Sequence, residues 1–116
     1  MTDVVGVIPA RYSSKRLPGK PLRKILGRPL IEYVHRNAKA VPRFKRLIIA
    51  TDIDVIAQVA KAFGADVMMT SPDHQSGTDR AAEIAQKVKA DLYVNIQGDE
   101  PLLSAESINT VIDALL

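Results

Sequence analysis

Residues 3–20, Asp3-Val4-Val5-Gly6-Val7-Ile8-Pro9-Ala10-Arg11-Tyr12-Ser13-Ser14-Lys15-Arg16-Leu17-Pro18-Gly19-Lys20, join an apolar strand directly to a cationic loop. Asp3 to Ile8 reads as a short buried strand, because it is a run of aliphatic residues with no helical spacing. Beyond it, residues 8–20 hold Arg11, Lys15, Arg16 and Lys20, two serines and no acid. Such a loop suits phosphate: its cations neutralise a polyanion, its serines and free N–H groups donate hydrogen bonds, and Gly19 lets backbone approach a ligand. The plain alternative is a solvated basic loop. Against it, a hydrophobic strand and two prolines hold these cations in place.

Outward from this strand the pattern repeats. A helix is expected from about Pro29, with Leu30, Val34, Ala38 and Val41 along one face. Leu47 to Ala50 reads as a second buried strand. The next helix, with Asp52 as its expected cap, carries Val55, Ile56, Val59, Ala60 and Phe63, and Gly64 is placed to end it. Val67 to Thr70 is a third strand, Ala81, Ala82, Ile84, Ala85 and Val88 mark a helix, and Leu92 to Ile96 is a fourth strand. A last helix is expected over Ile108, Val111, Ile112 and Leu115, with Ser104 as its N-cap. The order βαβαβαβα calls for a mostly parallel sheet with helices on both faces, in one domain over residues 1–116. Ligands of such sheets bind beyond the carboxyl ends of the strands. The loops at 9–20, 70–80 and 97–101 each follow a strand and are therefore expected on that one edge.

Composition sets bounds. Hydrophobic residues make up 47% and charged residues 25%, as in an ordinary globular domain, and the absence of cysteine excludes disulfides and thiolate metal sites. No leader with an apolar core precedes the first strand, so the cytoplasm is the expected location. The net charge of +3 conceals an asymmetry. Residues 1–46 hold twelve of the sixteen Lys and Arg but only Asp3 and Glu32 as acids, giving +10 against −7 for the rest. The aromatic residues do not interleave with these cations as a single-strand stacking platform requires, so a small phosphorylated ligand is expected rather than nucleic acid.

In the loop at 70–80, Ser76, Gly77 and Thr78 can present donors to an anion or a base edge at a helix start. The alternative there is simple capping by Thr78, with Arg80 solvated. His74 has no second histidine at a metal-ligand spacing, and His35, on a helix, is expected to be exposed. Asn95-Ile96-Gln97-Gly98-Asp99-Glu100-Pro101 ends a strand in an amide, a glycine and two acids. Adjacent carboxylates there suit a hard divalent cation, and Mg²⁺ takes one or two carboxylates together with phosphate oxygens; the plain alternative is an acidic turn with Pro101 breaking the strand.

Three motifs, Ile8 to Leu22 (IPARYSSKRLPGKPL), Asp73 to Arg80 (DHQSGTDR) and Asn95 to Pro101 (NIQGDEP), together resemble the 3-deoxy-manno-octulosonate cytidylyltransferases, or CMP-KDO synthetases. The basic loop alone marks only the wider sugar nucleotidyltransferases; the other two point to this member. The resemblance implies a Rossmann-like three-layer α/β/α nucleotidyltransferase fold and a Mg²⁺-dependent reaction of CTP with KDO. The products are CMP-KDO and pyrophosphate, for lipopolysaccharide biosynthesis. It implies that Arg11, Arg16 and Lys20 hold the triphosphate, that Asp99 binds Mg²⁺, and that Gln97 sits beside it at the nucleotide. Pro9, Ala10, Ser13, Thr70, Asp73, Ser76, Gly77 and Arg80 complete the substrate-binding set. Members of the family are about twice as long and dimeric. The chain therefore reads as the amino-terminal, CTP-binding half, expected to bind CTP and to turn over poorly alone. A non-catalytic phosphate-binding module and another sugar-acid cytidylyltransferase are the alternatives.

Overall fold

The computed structural model describes residues 3–10, 20–42, 44–73 and 77–96. Strands β1 (Val4–Ala10), β2 (Lys24–Ile25), β3 (Arg28–Pro29), β4 (Phe44–Thr51), β5 (Asp66–Met69) and β6 (Leu92–Asn95) alternate with helices α1 (Leu30–Lys39), α2 (Asp54–Ala62) and α3 (Gly77–Lys87). β5, β4, β1 and β6 lie in that order in one sheet, and every pairing is parallel. The expected alternation is present, and the helix expected beyond residue 103 lies outside the described residues.

The two faces of the sheet are separable in the sequence. Val4, Ile8 and Ala10 of β1, Ile49 of β4 and Ile96 pack with Ile31, Val34, Ala38, Ile56 and Ala60 of α1 and α2. Val5, Val7, Ile48 and Ala50 pack with Ile84 of α3 on the opposite face. Period-two alternation with both faces covered explains why β1 is apolar throughout. The side each helix takes follows from chain direction. The chain steps from β1 to β4 to β5 with α1 and α2 on one face, then returns across β1 to β6 with α3 on the other, as right-handed crossovers require.

Local chemistry sets the ends. α2 stops in a Schellman motif: Gly64 has φ +91°, its N–H reaches the Lys61 carbonyl at 3.0 Å, and the Ala65 N–H reaches the Ala60 carbonyl at 3.1 Å. The cap expectation for α2 fails. Ile53 occupies the N-cap with no side-chain hydrogen bond, and Asp52 is drawn elsewhere by a buried cation. α3 starts at Gly77, four residues before its first apolar marker, so Thr78 stands inside the helix rather than at its cap. Among the described residues no helix is long and apolar enough to cross a membrane.

The hairpin of β2 and β3 was not legible. Its two-residue turn places Leu26 at φ +53° and Gly27 at φ +84°, both left-handed, as in a type I′ turn, and Leu26 is 95% exposed. Leucine meets a steric cost there that asparagine largely avoids. Leu26→Asn is expected to stabilise the chain by about 0.5–1 kcal/mol, read as a higher midpoint in urea; an unchanged or lower midpoint would contradict the strain argument.

His35 corrects another expectation, because it is 5% exposed and its ring lies 5.3 Å from that of Phe63. It stands four residues after Ile31 and three before Ala38, both buried, and Phe63 at the C-cap of α2 reaches that side of α1. Burial, and secondarily the charge of Lys39, push its pKa below the ordinary 6.5, with Glu32 opposing. Between the depressed folded value and about 6.5 the unfolded chain binds more protons than the folded one. This contribution is therefore complete above about pH 6.5 and is lost as pH falls below it. Urea midpoints for His35→Gln should decline less than wild type between pH 7.5 and 5.5; parallel declines would refute the assignment.

Candidate functional site

All four parallel strands direct their carboxyl ends to one edge, where β1 ends at Pro9-Ala10, β4 at Thr51, β5 at Met69 and β6 at Asn95. The order reverses at β1, since the chain leaves it towards β4 on one side and β6 arrives later on the other. α1, which follows β1, lies on one face and α3, which precedes β6, on the other, and such a reversal of strand order leaves a crevice at the carboxyl ends of the strands. β6 registers Asn95 against Val7, and the Ile96 N–H donates to the Val7 carbonyl at 2.8 Å. The chain leading to residue 97 is thereby brought alongside β1. Pro9 lies two residues beyond Val7, on the same side of the strand and past Asn95, so its missing N–H interrupts no ladder.

The structure brings Pro9, Ala10, Thr70, Asp73, Gly77 and Arg80 to this edge. Lys20 opens a 3₁₀ turn, Lys20–Leu22, whose Leu22 packs on the core beneath α1 and α2. Arg11, Ser13, Arg16, Ser76, Gln97 and Asp99, with His74 and Glu100, lie outside the described residues. Among the described residues no cluster of His, Asp and Glu can hold a metal ion.

Around the ends of β4 and β5 the geometry is specific. Arg80, in the first turn of α3, is 2% exposed, and its Nη1 donates to the Thr70 hydroxyl and weakly to the Ser71 carbonyl at 3.4 Å. Asp52 Oδ1 lies 3.2 Å from the same nitrogen and supplies its counter-charge. Arg80 Nε is buried with no hydrogen-bond partner among the described residues. The Thr70 N–H donates to the Thr51 carbonyl at 2.9 Å, and Glu83 Oε1 accepts from the Ser71 N–H at 2.9 Å. Ser71 Oγ in turn accepts from the Asp73 N–H at 3.2 Å, which turns the chain towards α3. One buried guanidinium thus fastens the carboxyl ends of two strands to the start of a helix. The alternative of a solvated Arg80 is excluded.

Sequence reasoning missed Thr51, Asp52, Ser71 and Glu83 as members of this wall. Thr51-Asp52 follows the apolar run at Leu47 to Ala50, so the topology that selected the other three loops marks this one too. Glu83 offers no comparable signal, being one of several acids on an amphipathic helix.

A family model described as Cytidylyltransferase matches residues 5–116. The 3-deoxy-manno-octulosonate cytidylyltransferase of Escherichia coli is 45% identical over 115 residues, covering 99% of this chain and 47% of that protein. Its counterpart in Marinobacter nauticus is 52% identical over 112 residues, with 94% and 42% covered. Among solved structures, CMP:2-keto-3-deoxy-manno-octonic acid synthetase complexed with CTP superposes with a TM-score of 0.96 at 45% identity, covering 98% of this chain and 47% of that one. A cytidylyltransferase from Leptospira borgpetersenii, 23% identical, shares the fold with a TM-score of 0.85, covering 98% of this chain and 49% of that one. The chain spans about half the length of the curated relatives it matches.

Proposed function

Because this chain belongs to the cytidylyltransferase family, we propose that it is the CTP-binding half of an enzyme that transfers CMP to 3-deoxy-manno-octulosonate. The observation that carries the reading is the shared carboxyl edge of the parallel sheet, at which β1, β5 and β6 end and from which the 8–22, 70–80 and 95–101 motifs run on in sequence. In this reaction the anomeric hydroxyl oxygen of the sugar forms a bond to the α-phosphorus of CTP. The bond from that phosphorus to the bridging oxygen breaks, pyrophosphate leaves with its electron pair, and the hydroxyl proton is released to solvent. The protein's work is alignment and charge stabilisation.

Arg11, Arg16 and Lys20 hold the triphosphate, with guanidinium forks for paired oxygens and an ammonium for a single one. Pro9 and Ala10 meet the cytosine region through backbone. Ser13, Thr70, Asp73, Ser76, Gly77 and Gln97 line the nucleotide. Arg80 acts through the wall it fastens, since Asp52 and Thr70 engage its Nη1. Asp99, four residues past the end of β6 in sequence, carries hard oxygen donors of the kind Mg²⁺ takes, and the ion would offset phosphate charge. The same reading carries a cytoplasmic homodimer for the whole enzyme.

A chimaera tests it. Residues 1–116 replace the matching span of the Escherichia coli relative, and pyrophosphate release from CTP is followed with and without KDO. KDO-dependent release is expected. A folded chimaera that releases none would overturn the reading.

A further inference from the structure

α1 and α2 lie on the same face of the sheet, and an open cleft of about 540 Å³ runs between α1 and the carboxyl end of α2. We propose that this cleft is a second anion site, separate from the nucleotide edge, that takes a small multivalent phosphate. Its walls hold Arg28, Arg36 and Lys39 against a single carboxylate, Glu32, and Phe63 and His35 lie at its base.

Glu32 shows what the cleft holds. Its Oε2 lies 2.7 Å from Arg28 Nη1 and 3.9 Å from Arg36 Nη1, so a resident oxyanion already sits between two guanidinium groups. The longer distance is beyond a hydrogen bond, which leaves the Arg36 fork available to another anion. Lys39 stands nearly one turn further along α1 and has no ion pair among the described residues. His35 has no hydrogen bond among the described residues, and its ring rests on Phe63. An aromatic base of this kind excludes water and strengthens the charges above it.

Position separates this cleft from the nucleotide edge. Lys39 precedes β4 and Phe63 precedes β5, so that end of the cleft lies towards the amino ends of the strands. His35 supplies a local reporter, because the charge of Lys39 opposes its protonation while Glu32 favours it, Arg28 and Arg36 being the other charges lining the cleft. A phosphate seated on Lys39 and Arg36 would offset that charge and favour the imidazolium form.

The test follows the Cε1–H resonance of His35 through a pH titration, the chain having only two histidines and His35→Gln identifying the signal. Millimolar pyrophosphate is expected to raise the midpoint by about half a unit over sodium chloride at equal ionic strength. Citrate, multivalent but without phosphate, is expected to raise it less. The Arg36→Gln/Lys39→Gln variant should lose the rise while keeping its circular dichroism. No excess over chloride would overturn the proposal, as would an undiminished rise in the folded variant; an equal response to citrate would overturn the assignment to phosphate. The comparison with chloride uses the wild-type chain and stands whether or not the variant folds.

Discussion

Asp52→Ala is expected to destabilise the chain by about 3 kcal/mol, because it leaves the cation of Arg80 buried without its counter-charge. Arg80 is 2% exposed, whereas the Asp52 side chain is 15% exposed, so water reaches one side of the pair and the value falls at the low end of the usual range. Asp52→Asn discriminates between roles. Asparagine caps a helix about as well as aspartate, so a capping role predicts little loss, whereas the ion pair predicts most of the alanine effect. Asp52→Ala/Arg80→Met, which removes both charges, should recover much of the loss. Urea midpoints of the four proteins decide it. A loss below about 0.5 kcal/mol for Asp52→Ala would mean that the pair holds nothing together.

Ile49→Ala is expected to cost about 3 kcal/mol by cavity formation. Ile49 is fully buried in β4, registered against Ile8 of β1, in the cluster that also holds Ile31 and Ile56 of α1 and α2. Elements on three sides limit collapse around the missing methyl and methylene groups, so the void persists. Val55→Ala on α2, where Val55 is 46% exposed, should fall within about 0.5 kcal/mol of wild type. Equal effects at the two positions would contradict the packing described.

The sheet was legible because β1 and the Ile48 to Ala50 segment of β4 are buried on both faces, which makes them continuous apolar runs, while the helices show their period. Edge placement of the site followed from parallel topology. The hairpin was not legible because Leu26 occupies a left-handed position that glycine or asparagine usually signals. Asp52 misled because an aspartate ahead of an amphipathic run is the ordinary sign of a cap. Its actual partner, Arg80, is 28 residues away in sequence and only the fold brings them together. His35 was misjudged for the same reason, since Phe63 reaches it from another helix.

Titrating the folded chain calorimetrically with CTP and with ATP, each with and without Mg²⁺, tests the nucleotide-binding reading most directly. A Mg²⁺-dependent preference for CTP is the predicted result. Binding of neither nucleotide, or equal and Mg²⁺-independent binding of both, would contradict it.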